Sequence, residues 1–305
     1  MKISIRDVFG NYISKIGKSK KKLVVVSCDL KDATKTKKFF NNYPERSFEV
    51  GISEANALGI SAGLALSGFK PLVSSFGSFI TGKHLEIRTS ISYNNAPVII
   101  VGTHGGLIGP DGATQSATQD IALMRSMPNF EVFQPCSPLE TEQIIKYSIN
   151  SNKPTYIRIS RNEVHEIYKK NYKFKPGKIY QIKKGTKLAI LSSGAILHNC
   201  LKAINDNKLK NVALFNIPSY KPFKEAAFLN RIKKFQKILV VEDHTIYGGL
   251  RSLISEIFTS KNVFKKIHYI GINDCFIESG SVPDLERKYK LSSKDIFNKI
   301  KKILN

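Results

Sequence analysis

The feature that most restricts what this chain can fold into is the order of its apolar runs. Short stretches rich in Val, Ile and Leu keep returning, and helix-length segments separate them. LVVVSCD at 23–29, PLVSSF at 71–76, PVIIVGTH at 97–104, EVFQP at 131–135 and PTYIRIS at 154–160 lack strict polar–apolar alternation, as expected of strands buried on both faces. Ser4 stands ready to cap a helix in which Ile5, Val8, Phe9, Tyr12, Ile13 and Ile16 share one face. A Gly-, Ala- and Ser-rich segment at 55–67 reads as a second helix and 85–93 as a third. Ser137-Pro138-Leu139-Glu140 combines a capping box with Pro at the first helical position. Strands alternating with helices of this length predict right-handed crossovers and a parallel sheet.

The pattern breaks after Arg161. Residues 163–186 are polar and Lys-rich and carry a Pro176-Gly177 turn, which places a linker at 166–186. A second set of apolar runs follows at 187–194, 212–218, 237–244 and 266–273, with a helix through Leu250–Phe258 and an amphipathic one around Asp295–Leu304. At 305 residues a single core has usually stopped growing. The expected fold class is therefore α/β, as two consecutive parallel-sheet domains: residues 1–165 and residues 187–305.

Composition narrows the function. Lys and Arg number 48 against 24 acidic residues, a formal charge of +24. Only nine of these are Arg, and no Arg stripe with interleaved aromatics appears, so the charge reads as a lysine-rich solvated surface and no nucleic-acid partner is expected. Steeply salt-dependent DNA binding would mark the opposite case. The positive field favours anionic small molecules such as sugar phosphates. No apolar run approaches the roughly 20 residues of a membrane span, and the N-terminus lacks the apolar core of a signal peptide. Cys28, Cys136, Cys200 and Cys275 form no CxxC pair, which argues against a zinc site or a disulfide framework. A reduced, cytoplasmic protein without a membrane partner is expected.

Open parallel sheets bind ligands beyond the carboxyl ends of their strands, and three clusters fall there. In GISEANALGISAG, residues 51–63, Glu54 precedes the small-residue helix. A carboxyl among Ile52, Ala55, Leu58 and Ile60 is poorly solvated; alternatively it only favours the helix N-terminus. THGGLIGPDGATQ, residues 103–115, has the Gly and Pro content of a loop that approaches a ligand, presenting His104 and Asp111, or of a plain surface turn. In IRISR, residues 157–161, a regular strand points Arg158 and Arg161 to opposite faces, so one of them at most lines a given site and either could be a rim salt bridge.

FEVGISEANALGISAGLALSGFKP, SFGSF, THGGLIGPDGATQSATQDIALMRSMPNFEVFQPCSP and YIRISR resemble, in this order, the pyrimidine-binding domain of the transketolase family. VVEDHTIYGGLRSLISE and YKLSSKDIFNKIKKIL resemble that family's C-terminal domain. The resemblance covers nearly the whole chain and is strongest to the C-terminal subunit of a split transketolase. It implies two-carbon ketol transfer between sugar phosphates with thiamine diphosphate. Glu54 then matches the catalytic carboxyl on N1′ of the aminopyrimidine, where its bond favours the imino tautomer that takes the thiazolium proton. Phe76 and Phe79 match the aromatics that flank the pyrimidine. His104, Asp111 and Gln115 match substrate contacts, with His104 also catalytic, and Arg161 matches the guanidinium that grips a sugar phosphate. Arg158 falls outside the matched site, and Glu242, His244 and Gly248-Gly249 match a signature read as structural or interfacial.

Two departures qualify the match. Many relatives end the loop in DGPTH, whereas Asp111-Gly112-Ala113-Thr114-Gln115 ends in an amide that carries no charge. No Gly-Asp-Gly run occurs, so the chain itself is expected to hold no metal: Mg²⁺ and the diphosphate fall to a separate N-terminal subunit, most simply in a two-plus-two heterotetramer. The small-residue helix suggests that the chain also self-associates as a dimer. A deoxyxylulose-phosphate synthase-like enzyme, a specialised sugar-biosynthesis enzyme and a non-catalytic scaffold partner remain as alternatives.

Overall fold

The computed structural model describes residues 2–305. Seven strands form the first sheet, in the order Ser219–Lys221, Glu131–Phe133, Thr155–Arg158, Ile99–Thr103, Lys70–Phe76, Leu23–Ser27 and Ser47–Glu49. All neighbours run parallel except the first pair. Leu23–Ser27 and Ile99–Thr103 are buried along their whole length, which explains their unbroken apolar sequence. The second sheet has the order Lys266–Ile272, Lys237–Thr245, Leu188–Ser192, Val212–Asn216 and Tyr180–Lys183, antiparallel only at the last pair. The fold is thus α/β with two large sheets, each parallel but for one edge strand, and a small antiparallel pairing of Ile3–Ser4 with Glu163–Val164.

Capping explains where the helices begin. Ser4 accepts from Asp7 N at the head of Ile5–Gly17, and Ser292 accepts from Asp295 N at the head of Ser293–Leu304, whose Ile296, Ile300 and Ile303 are buried. Ser137 likewise caps Pro138–Asn150. Glu140 does not return to Ser137, as a capping box would have it; its carboxylate accepts from Cys136 N at 2.9 Å, from Tyr172 Oη at 2.5 Å and from Asn216 Nδ2 at 2.9 Å. Fully buried, it has its pKa raised by desolvation.

The stretch expected as a linker is more ordered than its polarity suggests. Tyr168 and Tyr172 stack with ring centroids 3.8 Å apart, Tyr180 packs edge-on to Tyr168 at 5.9 Å, and Tyr180–Lys183 completes the second sheet. The second unit in turn lends Ser219–Lys221 to the edge of the first sheet. Helices at Asp120–Ser126, Leu197–Asp206, Glu225–Ile232 and Val282–Lys288 add to those legible in sequence. The four cysteines are free, and only Cys275 is exposed. No helix among the described residues is long and apolar enough to cross a membrane.

Candidate active site

Four adjacent segments at the carboxyl ends of the first sheet bring the candidate residues together. Glu54 opens the helix Glu54–Leu66 and is 7% exposed. Ser75 Oγ, at the end of the neighbouring strand, donates to Glu54 Oε1 at 2.8 Å. Among the described residues this is the one hydrogen bond to the carboxylate, so Oε2 is left to a donor from outside. The apolar surroundings are only half built: Leu58 is buried, whereas Ile52 is 84% exposed.

Phe76 follows Ser75, and its ring stacks on Phe79 at 5.1 Å between centroids with a 24° interplanar angle. The other neighbour of Phe76 is His104, with centroids 3.8 Å apart. One wall of the site is therefore three rings in a row. His104 adopts φ +61°, a left-handed conformation that costs a residue with a side chain, and it is 2% exposed.

Hydrogen bonding settles which nitrogen of His104 carries the proton. Thr103 Oγ1 donates to the Ser75 carbonyl at 3.3 Å and lies 2.9 Å from His104 Nδ1, so Nδ1–H donates to the hydroxyl. Nε2 then accepts from Arg6 Nη1 at 3.4 Å. Burial first, and the Arg6 charge second, push the imidazole pKa down to about 3. His104 is a neutral hydrogen-bonding group whose Nε2 faces the site.

Arg6 was not singled out in the sequence. It also donates to the Ala33 carbonyl at 2.8 Å, and burial, reinforced by the nearby Arg161 charge, lowers its pKa. Arg161 donates to Asp111 Oδ2 at 2.5 Å, and that same oxygen lies 3.7 Å from His104 Nε2. Arg6, His104, Asp111 and Arg161 thus form one half-buried cluster with two guanidiniums against one carboxylate, a setting that favours an anionic guest. Gln115 stands at its rim: its backbone carbonyl accepts from Ser78 Oγ at 3.0 Å, and its side-chain oxygen accepts from Thr114 Oγ1.

Arg158 lies elsewhere, and not at a rim. It is 1% exposed between the two sheets, with Asp120 and Asp243 as partners. Glu242 accepts from Leu250 N at 2.6 Å and Arg251 N at 3.0 Å, anchoring a helix N-terminus, and its pKa is pushed up to about 7 by burial. His244 Nε2 accepts from Ala122 N across the seam at 3.4 Å.

Comparison with known proteins agrees along the whole chain. The transketolase pyrimidine-binding domain matches residues 1–166, and the transketolase C-terminal domain matches residues 177–296. A transketolase C-terminal section of Methanocaldococcus jannaschii is 33% identical over 303 residues, which is 97% of this chain and 95% of that protein. An apulose-4-phosphate transketolase subunit of Actinobacillus succinogenes is 34% identical over 256 residues, covering 83% of this chain and 82% of that one. Among solved structures, a split gene transketolase described as an inactive beta4 tetramer is 31% identical with a TM-score of 0.88, covering 99% of this chain and 98% of its own.

Proposed function

The chain belongs to the transketolase family as a counterpart of its C-terminal sections, and from that premise we propose that it supplies the pyrimidine-facing half of a thiamine diphosphate-dependent site for two-carbon ketol transfer between sugar phosphates. The observation that carries this reading is Glu54: a buried carboxyl at a helix start, fixed through Oε1 by Ser75, the residue that directly precedes the Phe76–Phe79 stack. A planar aminopyrimidine fits beside such rings, and a ring nitrogen fits the free carboxylate oxygen. When bound, thiamine diphosphate supplies the carbon nucleophile and electron sink that carry the two-carbon unit.

The protein's own work is to orient and to move protons. Glu54 holds a proton at the ring nitrogen and so controls the basicity of the amino group across the ring. Phe76 and Phe79 fix the ring plane. His104 offers neutral Nε2, and Asp111 its carboxylate, to hydroxyls of the donor sugar. Arg161, helped by Arg6, grips a phosphate, with Asp111 keeping the fork aligned until substrate arrives. Gln115 makes an uncharged contact to the sugar.

Diphosphate and Mg²⁺ binding are assigned to a separate N-terminal subunit, in keeping with relatives named as a C-terminal section and as one subunit of a transketolase. The chain self-associates and is inactive by itself. The test is ketol transfer from xylulose 5-phosphate to ribose 5-phosphate with thiamine diphosphate and Mg²⁺. It is run with this chain alone, with the partner subunit added, and with Glu54→Ala in the mixture. Transfer only in the wild-type mixture is expected; transfer unchanged by Glu54→Ala would sink the role of Glu54.

A further inference from the structure

An ion network lies buried where the two sheets meet. Arg158 Nε donates to both carboxylate oxygens of Asp120 at 3.1 Å, Nη1 donates to Asp243 Oδ1 at 2.8 Å, and Nη2 donates to the carbonyls of Ala117 at 2.8 Å and Asp243 at 3.0 Å. Tyr156 Oη donates to Asp120 Oδ2 at 2.6 Å. A buried ion network is weak evidence for a gain in stability, because desolvation offsets most of its attraction and apolar replacements often do as well. What it does supply is fixed direction.

That direction is delivered to the loop bearing His104. A Cβ on Gly105 would lie 2.7 Å from Arg158 Nε, and one on Gly106, which has φ +83°, would collide with Asp243 Oδ2. The loop backbone therefore rests directly on the charged pair, with room for nothing larger. Ala117, whose carbonyl accepts from Arg158, also accepts from Gly106 N at 2.9 Å and donates its own N–H to the His104 carbonyl at 3.0 Å. One rung thus joins Asp243, Arg158, Ala117 and the strained backbone of His104. The same unit holds the loop's tip, since Ser279 Oγ donates to the Pro110 carbonyl at 2.6 Å.

We propose that Asp243, acting through Arg158, is a positioning residue for the His104 loop, so that the C-terminal α/β unit sets the geometry of the donor-sugar contacts made by the N-terminal one. The inference rests on ketol transfer for what His104 contacts. The test uses this chain assembled with its partner subunit, thiamine diphosphate and Mg²⁺, with xylulose 5-phosphate as donor. In Asp243→Ala, Arg158 keeps Asp120 and the Ala117 carbonyl, so the chain folds. Its KM for the donor rises about tenfold or more, with a smaller change in kcat, as expected when one charge-assisted hydrogen bond is lost and the loop shifts. Asp243→Asn, whose Oδ1 still accepts from Nη1, recovers most of the loss. Hydrogen exchange at the Gly106 and Ala117 amides quickens in Asp243→Ala, while Leu188–Ser192 exchanges as in the wild type. Should Asp243→Ala fail to fold, Asp243→Glu, which keeps the charge but moves the oxygens by a methylene, carries the same readouts.

An unchanged KM with kcat reduced in proportion to the folded fraction, or unchanged exchange across 103–118, overturns the proposal. Absence of ketol transfer by the wild-type mixture overturns the reaction reading instead. The exchange measurement, which needs no substrate, tells the two failures apart.

Discussion

The first sheet builds two buried charged sites, and they differ in how much of each the chain completes. At the seam, Arg158 spends its donors on Asp120, Asp243 and two carbonyls, all within the chain. At Glu54 a single hydrogen bond among the described residues holds one oxygen, and the helix behind it turns a bare face outward. A Cβ on Gly59 or Gly63 would meet nothing within 4 Å, and Ile52, Leu66 and Leu85 are 84%, 63% and 64% exposed. Apolar surface of this kind marks an interface. The seam's charges are paired within one chain, whereas Glu54 keeps one oxygen and a helix face open; loss of the seam's central guanidinium should register chiefly in stability, and a change at Glu54 chiefly in activity and assembly.

The largest effect is expected from Arg158→Met, which leaves Asp120 and Asp243 buried without a counter-charge. Breaking such a pair costs about 3–5 kcal/mol, a large part of the roughly 5–15 kcal/mol typical of a whole protein. Urea unfolding of the chain alone should show that loss. Glu54→Gln should do the reverse. Unfolding of the chain moves by about 1 kcal/mol or less, because only the Ser75 bond is touched. Ketol transfer by the mixture falls about 10²-fold or more, as for a lost acid–base group. Equal effects of both changes on stability would erase the distinction between the two regions.

These two sites also differ in how well the sequence announces them. Glu54, Phe76, Phe79, His104, Asp111 and Arg161 lie in contiguous motifs, so a resemblance could carry them, and the sheets were legible because buried parallel strands are continuous apolar runs. Arg158 and Asp243 are 85 residues apart and belong to different sheets, and no local spacing records such a pairing. Arg6 escaped notice because it sits on an amphipathic helix, where an arginine ordinarily faces water. Tyr168, Tyr172, Phe174 and Tyr180 were the signal against a plain linker, since four aromatics within a polar stretch need somewhere to bury. Glu140 was legible as a helix-start residue, but its partners Tyr172 and Asn216 come from other parts of the chain.

Acid should weaken the seam through His244. Burial first, then the Arg158 charge, push its pKa down to about 3, against 6.5 for an ordinary histidine. Between those values the unfolded chain takes up a proton that the folded chain refuses, so stability drops as pH falls below 6.5. A proton on Nε2 would also confront the Ala122 N–H that this nitrogen accepts from. At about pH 5 the loss is about 2 kcal/mol. Comparing unfolding at about pH 8 and about pH 5, His244→Asn should shrink the acid loss by about that much. His104, and Glu242 with its opposite trend, titrate in both proteins and cancel in the comparison.

The smallest effect separates the two regions by sign. Gly63 lies inside the helix Glu54–Leu66, where glycine is less favourable than alanine by about 0.8–1 kcal/mol, and a Cβ there has open space around it. Gly63→Ala should therefore stabilise the chain measured alone by somewhat under about 1 kcal/mol. If another chain packs on this face, the same methyl group occupies space which that chain needs, and overpacking a close contact costs about 1–3 kcal/mol. Assembly with the partner subunit, followed by sedimentation, should then weaken although the isolated chain has gained. Gly105→Ala at the seam offers no such split, because its Cβ would strike Arg158 within the chain itself and lower stability in every assay. A Gly63→Ala chain that is stabilised alone and assembles as before would show that this face stays in water, and the missing half of the Glu54 site would have to approach from another side.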